Sequence, residues 1–269
     1  MRSVLSIAGS DSSGGAGIQA DIKTIAAHQL FAQTAITALT AQNTTGVYGV
    51  LDADPAFVAQ QIDVVFDDIR PDAVKIGMVS SAAIVEAIAD ALVRNQARNI
   101  VVDPVMVAAS GAELSSNEAV IALKERLLPL ADVITPNIPE ASALSGIAIA
   151  SPDDQVAAGH AIAAQGVKAV LVKGGHGEND ANDVLVLPDG TEQWFTAKRI
   201  DTDNTHGTGC TLSSAIACGL ARGLPLADAV QQAKDYLTGA LAAGLDLGKG
   251  SGPLDHMWQY ASYRAGASI

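Results

Sequence analysis

Two cysteines, Cys210 and Cys218, are all that the 269 residues contain. On one helix they would stand about 12 Å apart along the axis, at about 1.5 Å per residue. A disulfide tolerates Cα atoms no more than about 7 Å apart, so the two do not pair. Cys218, inside an apolar stretch, reads as a small core residue. Positive charge is also scarce, with 16 basic against 29 acidic residues and a net charge of −13. That balance argues against nucleic acid or an anionic membrane surface as partner. It leaves a phosphorylated ligand open, because helix amides, one lysine and a metal can reverse the field locally. No apolar run approaches the roughly 18 residues of a membrane helix. The histidines lack HExxH-type spacing, which argues against a structural zinc site. The opening MRSVLSIAGS is too short in its apolar part for a signal peptide and is followed by no small-residue cleavage pattern. It reads as a first buried strand, and the chain is expected to be cytoplasmic. Linkers, low-complexity tracts and internal repeats are absent as well, so residues 1–269 are expected to form a single domain.

What is present is a core-forming composition, 49% hydrophobic, in an alternating pattern. Strands are expected at 4–8, 34–39, 73–76, 99–102, 132–134 and 169–172. Helices are expected at 18–30, 55–68, 82–94, 117–127, 139–144 and 153–165. The rhythm changes once: 183–187 and 191–196 flank Pro188-Asp189-Gly190, a hairpin signal. Two long helices follow, at 207–222 and 226–243. Repeated β-α-β units with uniformly apolar strands imply an α/β fold, its sheet mostly parallel and covered by helices on both faces. One small antiparallel hairpin extends an edge. In such sheets ligands bind beyond the carboxyl ends of the strands.

The most informative run is Asn204-Thr205-His206-Gly207-Thr208-Gly209-Cys210, just before a small-residue helix. There the first backbone N–H groups lack intrahelical partners and the positive end of the helix dipole points outward, which suits phosphate. Taken alone, the same glycines are compatible with a merely close-packed helix start. After the first strand, Gly9-Ser10-Asp11-Ser12-Ser13-Gly14-Gly15-Ala16-Gly17 lacks the Walker ending and the dinucleotide spacing. It is either a turn or bare backbone that a ligand ring can approach. Gln42, in the loop 41–46 after the second strand, offers an acceptor and two donors in one plane, a match for a ring nitrogen beside an exocyclic amine. Met78, after the third strand, is core or a soft wall for an aromatic ring. Asp103, Asn137 and Glu140 are helix caps or an oxygen-rich set suited to Mg²⁺. Lys173 ends an apolar strand, where burial without an anionic partner is expensive.

In order along the chain stand Ala8-Gly9-Ser10-Asp11 through Asp21, Ala41-Gln42-Asn43-Thr44, Lys75-Ile76-Gly77-Met78 and Asp103-Pro104-Val105-Met106. Thr135-Pro136-Asn137 with Glu140, Lys173-Gly174-Gly175-His176 and Asn204 to Cys210 follow. This set, spread over roughly residues 3–255, resembles the hydroxymethylpyrimidine/phosphomethylpyrimidine kinases of thiamine biosynthesis, within the ribokinase-like superfamily. Two departures stand out. Ser12 occupies a position where the family often has proline. Ala108-Ala109 replaces a small-plus-lysine pair before Ser110-Gly111, which puts a basic phosphate contact from that loop in doubt.

The resemblance implies ATP-dependent phosphorylation of 4-amino-5-hydroxymethyl-2-methylpyrimidine and then of its monophosphate, with ATP and Mg²⁺ as cofactors and a homodimer as the assembly. Gln42 would hold the aminopyrimidine edge, with Gly9, Ala16, Met78 and Val105 around the ring. Asn137 and Glu140 would organise Mg²⁺ and water, with Asp103 assisting. Lys173, Asn137, Thr205, Gly207, Thr208 and Gly209 would hold ATP, with Lys173 near the transferring phosphoryl group and Gly207, Thr208 and Gly209 as the anion hole. Cys210 takes the position at which most sugar kinases of the superfamily carry a catalytic aspartate. A neutral thiol spares an anionic second acceptor about 4 kcal/mol of repulsion at 4 Å and ε about 20. If the helix start lowers its pKa, Cys210 could also take the alcohol proton as thiolate. Pyridoxal kinase is the alternative within the superfamily; the missing aspartate argues against a sugar kinase. A non-catalytic pyrimidine- or nucleotide-binding protein is the alternative from another class, disfavoured by Lys173, Asn137, Glu140 and the glycine-rich anion hole.

Overall fold

The computed structural model describes residues 1–107, 114, 116–175 and 181–261. His176 and the Ala108 to Gly111 departure lie outside the described residues. The strands are β1 (Ser3–Asp11), β2 (Phe31–Asn43), β3 (Gly46–Asp52), β4 (Ala73–Ile76), β5 (Ile100–Val102), β6 (Val133–Ile134), β7 (Val170–Val172), β8 (Asp183–Val186) and β9 (Glu192–Phe195). They form one sheet in the order β3-β2-β1-β4-β5-β6-β7-β8-β9. From β2 to β7 every neighbouring pair is parallel. β3 at one edge, and β8 with β9 at the other, pair antiparallel.

Alternation along the strands builds two apolar layers. Leu5, Ile7, Val74, Ile76, Val102 and Ile134 enter one core cluster, and Val4, Ala73, Val101, Val133 and Leu171 enter the other. Helices α2 (Pro55–Asp68), α3 (Ala82–Arg94), α4 (Asn117–Ala122), α5 (Ile138–Ser145) and α6 (Pro152–Ala163) supply residues to, or pack against, the first cluster. Helices α1 (Gly17–Ala27), α7 (Thr208–Ala221) and α8 (Leu226–Ala243) cover the second. Burial on both faces is what the uniformly apolar strands require.

Local chemistry sets the helix starts. Asp54 accepts the N–H groups of Ala56 and Phe57 ahead of Pro55, Ser81 caps α3, and Ser151 caps α6 ahead of Pro152. Helix α7 has no side-chain cap; its N-cap is Gly207 at φ 86°, a left-handed conformation suited to glycine.

Two expectations need correction. The segment after the second strand is no loop at Gln42: β2 runs on to Asn43 and turns through Thr44-Thr45 into β3. Antiparallel strands therefore extend both edges, not one. β3 is exposed, punctuated by Gly46 and Gly49, and so lacks the half-buried alternation that reveals a strand.

Candidate active site

The chain reverses direction across the sheet at β1, with β2 added on one side and β4 to β7 on the other. In such sheets ligands bind beyond the carboxyl ends at the switch point, and the singled-out residues follow those strand ends.

Asp103 follows β5, Thr135 follows β6 and Lys173 follows β7. Lys173 Nζ donates to Asp103 Oδ1 at 2.9 Å, and Thr135 Oγ1 donates to the same oxygen at 3.2 Å. The Lys173 N–H bonds the Pro136 carbonyl at 2.8 Å, tying β7 to the turn after β6. Burial opposes the ammonium charge, but Asp103 and Glu140 outweigh it and hold Lys173 above the ordinary lysine range. The start of α7 is pressed onto this pair. A Cβ on Gly209 would lie 3.0 Å from Asp103 Oδ2 and 3.3 Å from Lys173 Nζ. At the same helix end, Thr208 donates both its N–H (3.2 Å) and its hydroxyl (2.6 Å) to the Thr205 carbonyl. Among the described residues the Gly209 and Cys210 N–H groups have no acceptor, which leaves them available to an anion at the start of α7. The Thr208 N–H, expected there too, is bonded to the Thr205 carbonyl.

Asn137 and Glu140 cap α5 reciprocally. Asn137 Oδ1 accepts the Glu140 N–H at 2.9 Å, and Glu140 Oε2 accepts the Asn137 N–H at 2.8 Å. Burial pushes the Glu140 carboxyl up to about 7; Lys173 offsets part of this and Asp103 adds to it. Two buried carboxylates beside one ammonium are a donor set that accepts a hard cation. Mg²⁺ commonly takes one or two carboxylates and keeps its remaining places for water and phosphate. Among the described residues no three His, Cys, Asp or Glu side chains could cage a metal directly. The fit is therefore to a partly water-held ion at Asp103 and Glu140, with Asn137 committed to the cap.

Near the end of β1, Gly9 faces Met78: a Cβ on Gly9 would lie 3.0 Å from Met78 Sδ. Thr37 Oγ1 holds the Met78 carbonyl at 2.8 Å. Ala16 is the N-cap of α1 and gives its N–H to Asp11 at 2.8 Å. The Gln42 backbone is held at both ends by one hydroxyl, since Ser12 Oγ accepts its N–H at 2.9 Å and donates to its carbonyl at 2.8 Å. Thr40 Oγ1 lies 3.0 Å from the Ser10 carbonyl and 3.1 Å from Gln42 Oε1, so its single hydrogen is shared between two acceptors. Val105 borders a small cavity with Gly77, Val79 and Met106.

Cys210 does not meet the condition set for a thiolate role, a lowered pKa. Burial pushes its thiol up to about 11; Lys75 and the Gly17 N–H offset this in part, and Asp21 and Asp103 reinforce it. Burial, not the helix start, sets the direction of this shift.

Beneath Cys210 lies a group that sequence reasoning missed. Lys75 is fully buried and its Nζ is 2.9 Å from both Asp21 oxygens. Ser6 and Ser214 donate to the same carboxylate at 2.5 and 2.8 Å. A lysine inside the apolar strand Ala73-Val74-Lys75-Ile76 was the available signal. Asp11 and His206 were missed too: His206 Nε2 is 2.8 Å from Asp11 Oδ2, with both residues buried.

A family model for phosphomethylpyrimidine kinase matches residues 11–255. The sequence is 46% identical to the hydroxymethylpyrimidine/phosphomethylpyrimidine kinase of Haemophilus influenzae, over 97% of this chain and 98% of the relative. The crystal structure of phosphomethylpyrimidine kinase from Clostridium difficile is similar at a TM-score of 0.79 and 46% identity, over 88% of this chain and 98% of that one. The ADP complex of Bacillus subtilis pyridoxal kinase gives a TM-score of 0.89 at 38% identity, over 97% and 99%. These likenesses bear out the ribokinase-like architecture expected from the motifs.

Proposed function

The chain belongs to the phosphomethylpyrimidine kinase family, and from that premise we propose how its residues divide the work of phosphoryl transfer. The enzyme phosphorylates hydroxymethylpyrimidine with ATP and then phosphorylates the monophosphate, in thiamine biosynthesis. Pyridoxal kinase is a structural relative.

In our reading the acceptor ring lies between Gly9, Ala16, Met78 and Val105, with the Gln42 amide on its aminopyrimidine edge. The contact with Thr40 Oγ1 supports this, since it fixes where the Gln42 amide lies. ATP phosphates meet Lys173 and the N–H groups of Gly207, Gly209 and Cys210, with Thr205 and Asn137 at the border. Mg²⁺, when bound near Asp103 and Glu140, would neutralise phosphate charge as it builds in the transition state. Cys210, as a neutral thiol, fills the space beside the acceptor oxygen without repelling an acceptor that is already anionic. The alcohol proton is not taken by this thiol; positioning and electrostatics carry the transfer. The observation that carries this reading is the contact of Gly209 with the Lys173–Asp103 pair, which brings two independent anion-stabilising devices to one point.

The enzyme is further taken to act as one kinase domain, in the cytoplasm, as a homodimer. Among the described residues no helix is long and apolar enough to cross a membrane. Leu39 pairs with Leu51 across β2 and β3, and with Tyr48 both are exposed on an open edge, a patch suited to a second copy.

The test is a phosphate-resolved time course with Mg-ATP and hydroxymethylpyrimidine. Monophosphate followed by diphosphate supports the assignment. Monophosphate alone, with pyridoxal competing as an equal acceptor, would replace it with a salvage kinase.

A further inference from the structure

The loop after β1 and the loop before α7 are interlocked through one buried pair. Asp11, the last residue of β1, accepts the N–H groups of Ser13 (2.8 Å), Gly15 (3.0 Å) and Ala16 (2.8 Å). It also accepts the Ser13 hydroxyl at 2.8 Å and pairs with His206 Nε2 at 2.8 Å. Burial would raise this carboxyl, but the bonds from His206, Ser13 and Ala16 prevail and hold it down to about 2. The backbones fit as closely as the side chains. The His206 ring fills the space where a Cβ on Gly15 would stand, and a Cβ on Gly207 would strike the Gly15 carbonyl. Neither loop can shift without the other.

A second strut joins the same two regions. Thr44 Oγ1, two residues beyond Gln42, accepts the N–H groups of Lys249 (3.1 Å) and Gly250 (3.2 Å). The same segment reaches the anion loop, where the Gly252 carbonyl accepts the His206 N–H at 3.0 Å and the Gly252 N–H bonds the Asp203 carbonyl at 3.1 Å. Both elements that would touch the acceptor are thus bonded to the loop that would hold the phosphates.

We propose that Asp11 and His206 couple the two substrate sites, so that acceptor bound against residues 9–16 tightens nucleotide phosphate binding at the start of α7, and the reverse. The inference rests on the reading above for where each substrate lies. A buried carboxylate–imidazole pair adds little stability over an apolar pair of similar volume; what it adds is a directional link. Because coupling is a free energy between sites, it must be reciprocal. His206 is a positioning residue here and touches neither reacting atom.

The test measures the dissociation constant of Mg-AMP-PCP by calorimetry, with and without saturating hydroxymethylpyrimidine, in wild type and two variants whose near-ultraviolet circular dichroism matches it. Wild type should show a tightening of about fivefold or more, the lower end of ordinary coupling. His206→Leu should reduce that factor to below about twofold, and His206→Gln, whose amide can still donate to Asp11, should restore most of it. Should His206→Leu fail to fold, His206→Asn carries the same expectation, being polar but one carbon too short to reach. An equal coupling factor in wild type and the broken variants, or none in wild type, overturns the proposal. Failure of wild type to bind either ligand instead overturns the functional reading, and the coupling with it.

Discussion

Gly209 lies against Lys173 so closely that one added methyl group would stand 3.3 Å from Nζ and 3.0 Å from Asp103 Oδ2. The glycine is needed there for approach rather than for backbone freedom, since it sits in the first turn of a regular helix. In the proposed reading, its absent side chain is what would let the helix amides and the lysine share one phosphate.

Gly209→Ala should therefore leave the fold intact and damage the chemistry. Displacing the lysine or the helix end by a few tenths of an ångström mispositions a group that stabilises transition-state charge. Losses of about 10²-fold in kcat accompany such shifts. Steady-state kinetics on both acceptors, beside a melting curve, check this. A full-rate alanine variant would separate the anion hole from catalysis.

The Cys210 thiol, pushed up to about 11, is protonated at neutral pH. Cys210→Ser should keep kcat for the alcohol within about tenfold of wild type, because a positioned base would be worth about 10² to 10⁴. Cys210→Asp should slow transfer to the monophosphate more than transfer to the alcohol, since only the former meets a second negative charge. Single-turnover rates measured separately on the two acceptors decide the matter, and equal slowing of both by Cys210→Asp would refute the charge argument.

The exposed pair Leu39 and Leu51 offers the means to test the assembly. Leu51→Glu, with Tyr48→Glu as a second variant, should shift the enzyme from dimer to monomer in light scattering while leaving its circular dichroism unchanged. Charge on the rim of an apolar contact opposes association directly. A monomeric wild type would dispose of the homodimer.

Much of this architecture could be read from residue pattern. The bounds of α2, β4 and α3 fall where Pro55, the apolar run at Ala73 and Ser81 put them, because capping and burial there act locally. Asp103, Glu140 and Lys173 announced themselves as charges at the ends of apolar strands or the start of a helix. What stayed hidden depends on distance in sequence or on environment. Asp11 and His206 are 195 positions apart, and no local pattern joins them. Gln42 appeared as a loop residue because the exposed strand β3, which extends β2 beyond it, carries no burial signal. The burial of the Cys210 thiol stayed hidden because a helix start is legible in sequence whereas desolvation is not.

Lys75 and Asp21 form a buried pair that can be dissected by a double-mutant cycle. Lys75→Met alone strands a carboxylate that accepts from Ser6 and Ser214 in a dry interior. Such a break costs about 3–5 kcal/mol, visible as a fall in the denaturant midpoint. Asp21→Asn with Lys75→Met should recover more than half of that loss, because no unpaired charge remains. Purely additive losses would mean that the two residues act separately.

His256 supplies a dependence on pH whose sign is fixed by burial. Its Nε2 lies 3.0 Å from Thr211 Oγ1, which in turn donates to the Gly207 carbonyl at 2.8 Å, so the ring supports the N-cap of α7. Burial, aided by Lys23, pushes the imidazole down to about 4. Unfolded, it would titrate near 6.5. The unfolded chain therefore binds the extra proton between these values, so this contribution is complete above about 6.5 and is lost as pH falls toward 4. At most it amounts to about 3 kcal/mol. Glu140, pushed up to about 7, acts in the opposite direction over part of that range, so a bare stability profile would mix the two. Subtracting the profile of His256→Gln from that of wild type between pH 7 and 4.5 isolates the histidine. The difference should shrink steadily as the solution is acidified, and a difference independent of pH would show that His256 is protonated in the folded enzyme as readily as in the unfolded chain.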